Sequence, residues 1–190
     1  MLASSSPYRR MLLERLTHDF ATVAPDIDET PHIQEKPESM ACRLACEKAA
    51  IISIDNPEAV IIGSDQVAAL GATVLGKPGN HATATSQLEQ CSGKTVIFYT
   101  AVCIRAEAAN FNEIYVDLTT VHFRELTPAT INAYLKKDQP WDCAGSFRSE
   151  GLGTVLFASV ENQDPTALIG LPLIWVADAL QRAGIKLLDH

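Results

Sequence analysis

Nothing in this sequence approaches the run of about 20 apolar residues that spans a membrane, so no membrane anchor is expected. It also lacks a Cys-x-x-Cys pair, and His18, His32, His81, His122 and His190 are scattered without metal-ligand spacing. Cys42, Cys46, Cys91, Cys103 and Cys143 are an odd number, which argues for reduced thiols in a cytoplasmic protein rather than a disulfide framework or a zinc site. Cys42 and Cys46 lie one helical turn apart and read as small packing residues. Basic residues are scarce: 15 Lys and Arg against 23 Asp and Glu leave a net charge of −8, so non-specific binding to nucleic acid is not expected. Internal repeats, low-complexity segments and linker compositions are absent as well.

What is present is an ordinary globular mixture, 47% apolar and 20% charged, and 190 residues make one domain, 1–190, with a real core. Met1 to Leu16 mixes Ser, Arg and Leu in the manner of a mitochondrial targeting peptide. Glu14 is acidic, however, and the stretch runs straight into strand-like Phe20–Ala24, so it is read as part of the fold.

The chain is organised around Val60-Ile61-Ile62-Gly63-Ser64-Asp65-Gln66-Val67. The apolar residues predict a buried strand, which Gly63 and Ser64 interrupt. Asp65 then falls near the interior. Either it ends the strand by accepting from local backbone N–H groups, or a cation, a metal or other donors hold it there.

Ser6 and Pro7 predict a helix N-terminus carrying the apolar stripe Leu12, Leu13 and Leu16. Arg9 and Arg10 fall in its first turn, where the helix dipole disfavours positive charge. Together with Ser4 and Ser6 they read either as an anion site or as two solvated arginines. The Pro25–Pro37 loop carries Asp26, Asp28 and Glu29, which read as a solvated run or as ligands of a divalent cation. A helix is expected over Pro37–Ile54, and Lys48 falls on its buried stripe with Leu44 and Ile52; it either snorkels or reaches an anionic cleft.

A hairpin over Val67–Leu75 would bring Lys77 back towards Asp65. Next come a helix over 80–91, two long strands over Thr95–Ala106 and Glu113–Leu126, and a helix from Thr127 to about Lys137. Gly145, Gly151 and Gly153, around Arg148 and Glu150, suggest a loop whose backbone approaches a ligand. A strand over Thr154–Val160, a loop over Asn162–Ile169 and a helix over Leu171–Ala183, ended by Gly184, complete the chain.

Six motifs occur in this order: Ser4-x-Ser6-Pro7-x-Arg9-Arg10, Asp28-Glu29, Lys48, Gly63-Ser64-Asp65, Gly76-Lys77-Pro78 and Gly145-Ser146-Phe147-x-Ser149-Glu150-Gly151. In that order the sequence resembles the Maf family of nucleotide pyrophosphatases over nearly its whole length. Gln66 after Asp65, with Ala144 to Gly153, resembles the subgroup acting on 7-methyl-GTP; a pyrimidine-triphosphate subgroup usually has Thr in place of Gln66. Tyr8 stands where the subgroup commonly has Trp, and the chain starts a few residues late, which shortens the first strand.

The resemblance implies an α/β fold like that of inosine triphosphate pyrophosphatases: a mixed, elongated, twisted sheet flanked by helices, with a cleft between two lobes, usually as a homodimer. It implies hydrolysis of a nucleoside triphosphate to the monophosphate and pyrophosphate, as housecleaning of the nucleotide pool. Asp65 would be the proton acceptor, with Mg²⁺ or Mn²⁺ held by Asp65 and Glu29. Ser4, Ser6, Arg9, Lys48 and Lys77 would take the phosphates, and Tyr8, Gln66 and Glu150 the base. The alternatives are a non-hydrolysing, nucleotide-sensing regulator of septum formation and cell division, and a pyrophosphatase for pyrimidine or other modified triphosphates.

Overall fold

The computed structural model describes residues 1–188, so Asp189 and His190, although part of the single-domain expectation, lie outside it. Strands are β1 (Leu2–Ala3), β2 (Thr22–Val23), β3 (Ile61–Leu70), β4 (Thr73–Leu75), β5 (Thr95–Ala106), β6 (Phe111–Phe123) and β7 (Phe157–Glu161). Helices are α1 (Pro7–Leu13), α2 (Pro37–Asp55), α3 (His81–Cys91), α4 (Pro128–Asp138) and α5 (Leu173–Arg182). The strands form one seven-stranded mixed sheet in the order β2-β1-β3-β5-β6-β7, with β4 added to β3. The pairs of β1 with β2 and with β3 are parallel, and the remaining pairs are antiparallel.

Three apolar clusters flank the sheet. One joins α3 and α4 to Phe98, Phe123, Phe147 and Phe157; a second joins α1 and α5 to β1; the third packs α2 on β3 and β5. Pro at the first helical position and a capping side chain start two of the helices: Ser6 accepts from Arg9 N–H in α1, and Thr127 from Thr130 N–H in α4. All five cysteines are free, and Cys42 and Cys46 pack at the α2 face as expected. Among the described residues no helix is long and apolar enough to cross a membrane.

Some expected boundaries shift. Gly63 and Ser64 do not interrupt β3, which is continuous for 10 residues through Asp65, because β5 pairs with it from Ile61 to Ala69. The Phe20–Ala24 strand shrinks to Thr22–Val23, since its partner β1 is only two residues long. Thr154 to Leu156, the expected start of the last strand, belong to a 3-10 turn over Leu152–Leu156, and β7 starts at Phe157.

Alternation along β3 decides what each side chain meets. Gly63, Asp65 and Val67 face α2; Ser64, Gln66 and Ala68 face the opposite layer. The ladder also has a gap. β1 pairs only with Ile62 and Gly63, and β4 only with Ala68 to Leu70. Between them Ser64 to Val67 pair with β5 alone, leaving a notch in the sheet beside Asp65.

Gly63 sets the distance between α2 and the sheet. A Cβ there would stand 2.2 Å from the Ala45 carbonyl and 2.6 Å from the Ala49 nitrogen, both helix backbone. Gly63→Ala is therefore expected to push α2 outward and to destabilise the fold by about 1–3 kcal/mol. Each of those kcal/mol lowers the midpoint of a thermal melt by roughly 2–4 °C in a protein of this size.

Candidate functional site

The notch in the sheet opens into a cleft of about 480 Å³. Its walls come from the Ser4–Arg9 turn, the α2 face, β3, the Gly76-Lys77 corner, the 142–150 loop and the turn at 168–170. At its floor Lys48 Nζ lies 2.6 Å from Asp65 Oδ1 and 2.6 Å from Glu29 Oε1. Lys48 is buried, as its place on the Leu44–Ile52 stripe requires, and does not snorkel to solvent. Of the two readings of Asp65, the one in which a cation holds it is observed. Burial pushes Glu29 up, but the hydrogen bond and charge of Lys48, with Lys77 and Arg9, outweigh it and leave Glu29 below its ordinary value.

The two arginines of α1 part company. Arg9 turns into the cleft, where Nε donates to the Gly170 carbonyl at 3.0 Å and Nη1 to Ser4 Oγ at 3.4 Å. Burial lowers its pKa, opposed by the charges of Asp65 and Glu29; an arginine remains protonated regardless. Arg10 points outward and pairs with Glu14 at 3.0 Å, an i,i+4 surface pair worth little. Ser4 is buried and accepts from Ser6 N–H, while Ser6 caps the helix. Lys77 is exposed at the cleft mouth.

Tyr8 and Glu150 line the same cleft where Asp142, Cys143 and Arg148 surround the Tyr8 ring, whereas Arg9 has Asp65 and Glu29 as its charged neighbours. Glu150 accepts from the Ser149 hydroxyl at 2.9 Å, and Arg148 pairs with Asp138 rather than with Glu150. Gln66 is more committed than expected: its amide nitrogen donates to Thr100 Oγ1, Ala167 O and Leu168 O at 2.9–3.1 Å. Only its carbonyl oxygen is left for a ligand. The loop glycines pack closely against protein groups: a Cβ on Gly145 would press on Phe98, one on Gly151 on Asp138, and one on Gly153 on the Arg148 carbonyl.

Among the described residues no group of three or more His, Cys, Asp and Glu is placed to hold a metal. Glu29 and Asp65 still fit the way Mg²⁺ is bound, through one or two carboxylates plus substrate phosphates. Lys48 takes one oxygen of each carboxylate, so Oε2 of Glu29 and Oδ2 of Asp65 remain.

Two supports were not read from the sequence. The first is Arg43, one turn before Glu47 on α2. It binds Glu35 in bidentate fashion at 2.7 and 2.8 Å, Glu47 at 3.1 Å and the Thr30 carbonyl at 3.3 Å, pinning the loop that carries Glu29. Within that loop Asp28 accepts from Thr30 N–H, a local turn rather than a ligand position. The second is the turn from Asp164 to Gly170. Its Gly170 carbonyl accepts from both Arg9 and Ser64, and its Ala167 carbonyl from Gln66 and Thr100. Gly170 has φ +133°, a region that favours glycine. The Asp-Pro-Thr and Gly-Leu-Pro tripeptides at 164–166 and 170–172 were the available signal.

Fold and cleft together define a class: an α/β protein with a mixed, notched sheet, whose cleft gathers cations and a carboxylate pair at one end and an aromatic ring at the other. A family model described as Maf-like protein matches residues 1–183, and the chain belongs to that family. It is 50% identical over 188 residues to a protein of Albidiferax ferrireducens named 7-methyl-GTP pyrophosphatase, covering 99% of this chain and 94% of the relative. A protein of Nitrosococcus oceani with the same name is also 50% identical, with the same coverage. One of Alcanivorax borkumensis, again so named, is 49% identical over 98% of this chain and 95% of its own length.

The Arg43 clamp gives a pH prediction. Hydrogen bonds from Arg43 hold Glu35 at about 2, well below its ordinary 4.5. A depressed carboxylate stabilises the fold above its ordinary value and loses that contribution as pH falls towards the folded value. Glu35→Gln should therefore flatten the acid side of the stability profile between about pH 4.5 and 2. Thermal melts across that range check this; an unchanged slope would mean that the clamp does not act on folding.

Proposed function

We propose that this chain is a nucleoside triphosphate pyrophosphatase that converts 7-methyl-GTP and water to 7-methyl-GMP and pyrophosphate, as a cytoplasmic housecleaning homodimer. The observation that carries the reading is Lys48 gripping Asp65 and Glu29 at the cation-lined end of the cleft. The relatives named 7-methyl-GTP pyrophosphatase, matched over nearly their full length, supply the substrate.

In this reading Asp65 accepts a proton from the water that attacks the α-phosphorus, and Lys48 fixes the orientation of its carboxylate. The new bond joins the water oxygen to that phosphorus; the bond to the bridging oxygen breaks and pyrophosphate leaves. Arg9 and Lys77 neutralise the departing charge, with the Ser4–Ser6 turn at the start of α1 beside them. A divalent cation, Mg²⁺ or Mn²⁺, held by Glu29 and Asp65, supplies further neutralisation of the phosphates when bound. At the other end the Tyr8 ring stacks on the positively charged base, a contact worth about 0.5–2 kcal/mol. Glu150 accepts from the N1–H and exocyclic amine of the guanine edge, and the free carbonyl of Gln66 faces the nucleotide.

Asp65→Asn keeps size and most hydrogen bonding but cannot accept the proton. Turnover is expected to fall by at least roughly 10²-fold while nucleotide binding persists, read by pyrophosphate release and by titration. A rate near that of the unaltered chain would return Asp65 to a structural role. Pyrophosphate release over a nucleotide panel separates 7-methyl-GTP from pyrimidine triphosphates, and binding without release would point to the sensing regulator. EDTA should abolish the activity, and Mg²⁺ or Mn²⁺ should restore it.

Tyr8→Ala and Glu150→Ala should each narrow the preference for 7-methyl-GTP over GTP, whereas Asp65→Asn lowers both rates in proportion. Unchanged ratios in both base-end variants would remove the pocket assignment and leave the hydrolytic one standing.

A further inference from the structure

Arg148 stands at the base end of the cleft and takes no part in the chemistry above. Its backbone is fixed: the N–H donates to the Tyr134 hydroxyl at 3.0 Å, and the carbonyl accepts from the N–H groups of Gly151 and Gly153 at 3.3 and 3.0 Å. Its side chain is held far less firmly. The guanidinium carbon lies 5.9 Å from the centroid of the Tyr8 ring, and Nη1 is 4.0 Å from Asp138 Oδ1, beyond a hydrogen bond. Asp138 spends its other oxygen on the Tyr134 hydroxyl at 2.9 Å. The thiol of Cys143 lies close enough to the guanidinium for the two groups to influence each other electrostatically. Nε is buried and has no hydrogen-bond partner.

A buried, unmet N–H is costly, and a guanidinium in that state is parked rather than locked. An acceptor entering the cleft lets it turn and complete its bonding. The company it keeps says which part of a nucleotide brings that acceptor. Arg9 senses Asp65 and Glu29, at the phosphate end; Arg148 senses Tyr8, Cys143 and Asp138.

We propose that Arg148 is a specificity-determining residue for the nucleobase, donating from its guanidinium to the C6 carbonyl oxygen of a 6-oxopurine held against Tyr8. This rests on the reading of Tyr8 and Glu150 as the base-facing residues. Guanine offers acceptors at O6 and N7, whereas adenine has an amino donor at C6 that a guanidinium, all donors, cannot pair. Methylation at N7 removes one acceptor and adds a positive charge next to another. Arg148 therefore favours 6-oxopurines over adenine but works against the methylated base, opposite in sign to Glu150.

The test compares kcat/KM for 7-methyl-GTP, GTP and ATP in the full chain and in Arg148→Met and Arg148→Lys. Methionine keeps an apolar stem and removes charge and donors. The GTP-over-ATP ratio should fall roughly 10-fold, and the 7-methyl-GTP-over-GTP ratio should rise about 3-fold or more. Lysine keeps the charge and loses the fork, so only the GTP-over-ATP ratio should fall; this arm decides the matter if the methionine variant melts early. Equal loss on all three nucleotides would make Arg148 a phosphate ligand and overturn the proposal, as would unchanged ratios. An unaltered chain without preference for 7-methyl-GTP over GTP would instead sink the substrate reading, and the GTP-over-ATP ratio would still judge Arg148.

Discussion

One ammonium group between two carboxylates joins three successive parts of the chain: the loop before α2, the α2 face and the centre of β3. The two contacts have equal lengths but unequal weight. Lys48 and Asp65 are 7% and 11% exposed, so each depends on the other to offset its desolvation, and breaking such a pair costs on the order of 3–5 kcal/mol. Glu29 is 55% exposed, and its half of the arrangement is screened to about 1 kcal/mol or less. Lys48 and Asp65 thus form the fixed floor, and Glu29 is the more exposed and less firmly held carboxylate.

That floor exists because backbone and side chains cooperate at two places. Gly63 admits α2 close enough for Lys48 to reach Asp65, and the notch between β1 and β4 leaves the same stretch of β3 without a strand neighbour on one edge, where it lines the cleft. The far wall is held by carbonyls rather than by charges. Asp164 accepts from Thr166 and from Ile174 N–H at the start of α5, and so ties the turn to that helix. The turn in turn presents its own carbonyls to Arg9, Ser64, Gln66 and Thr100. Gln66 therefore has a structural task beside any contact with a ligand.

The sequence carried most of the element list because its signals were local. Ser6-Pro7 and Thr127-Pro128 marked helix starts, and alternating β-branched residues marked β5 and β6. It misplaced boundaries where pairing decides them. Gly63 and Ser64 look like a break in an apolar run, yet β5 hydrogen-bonds straight through them. Thr154–Leu156 has strand composition but curls into a 3-10 turn before β7 begins.

For the site, the sequence by itself determined which residues were out of place: a lysine on an apolar helix stripe, an aspartate inside a strand, arginines at a helix N-terminus. Each violates a local rule of charge or burial, and such violations are visible without coordinates. What only the tertiary structure decided is which violations answer one another. Arg9 enters the cleft and Arg10 does not, because one faces the Gly170 carbonyl and the other lies within reach of Glu14. The Gly170 turn, the Arg43 clamp and the unmet Nε of Arg148 left no such mark. Glycine in a turn, an arginine on a helix and an arginine in a loop break no local rule; their partners lie 161 residues away in the first case and 8 in the second. Only folding, which brings distant carbonyls and carboxylates within hydrogen-bond distance, gives them a role.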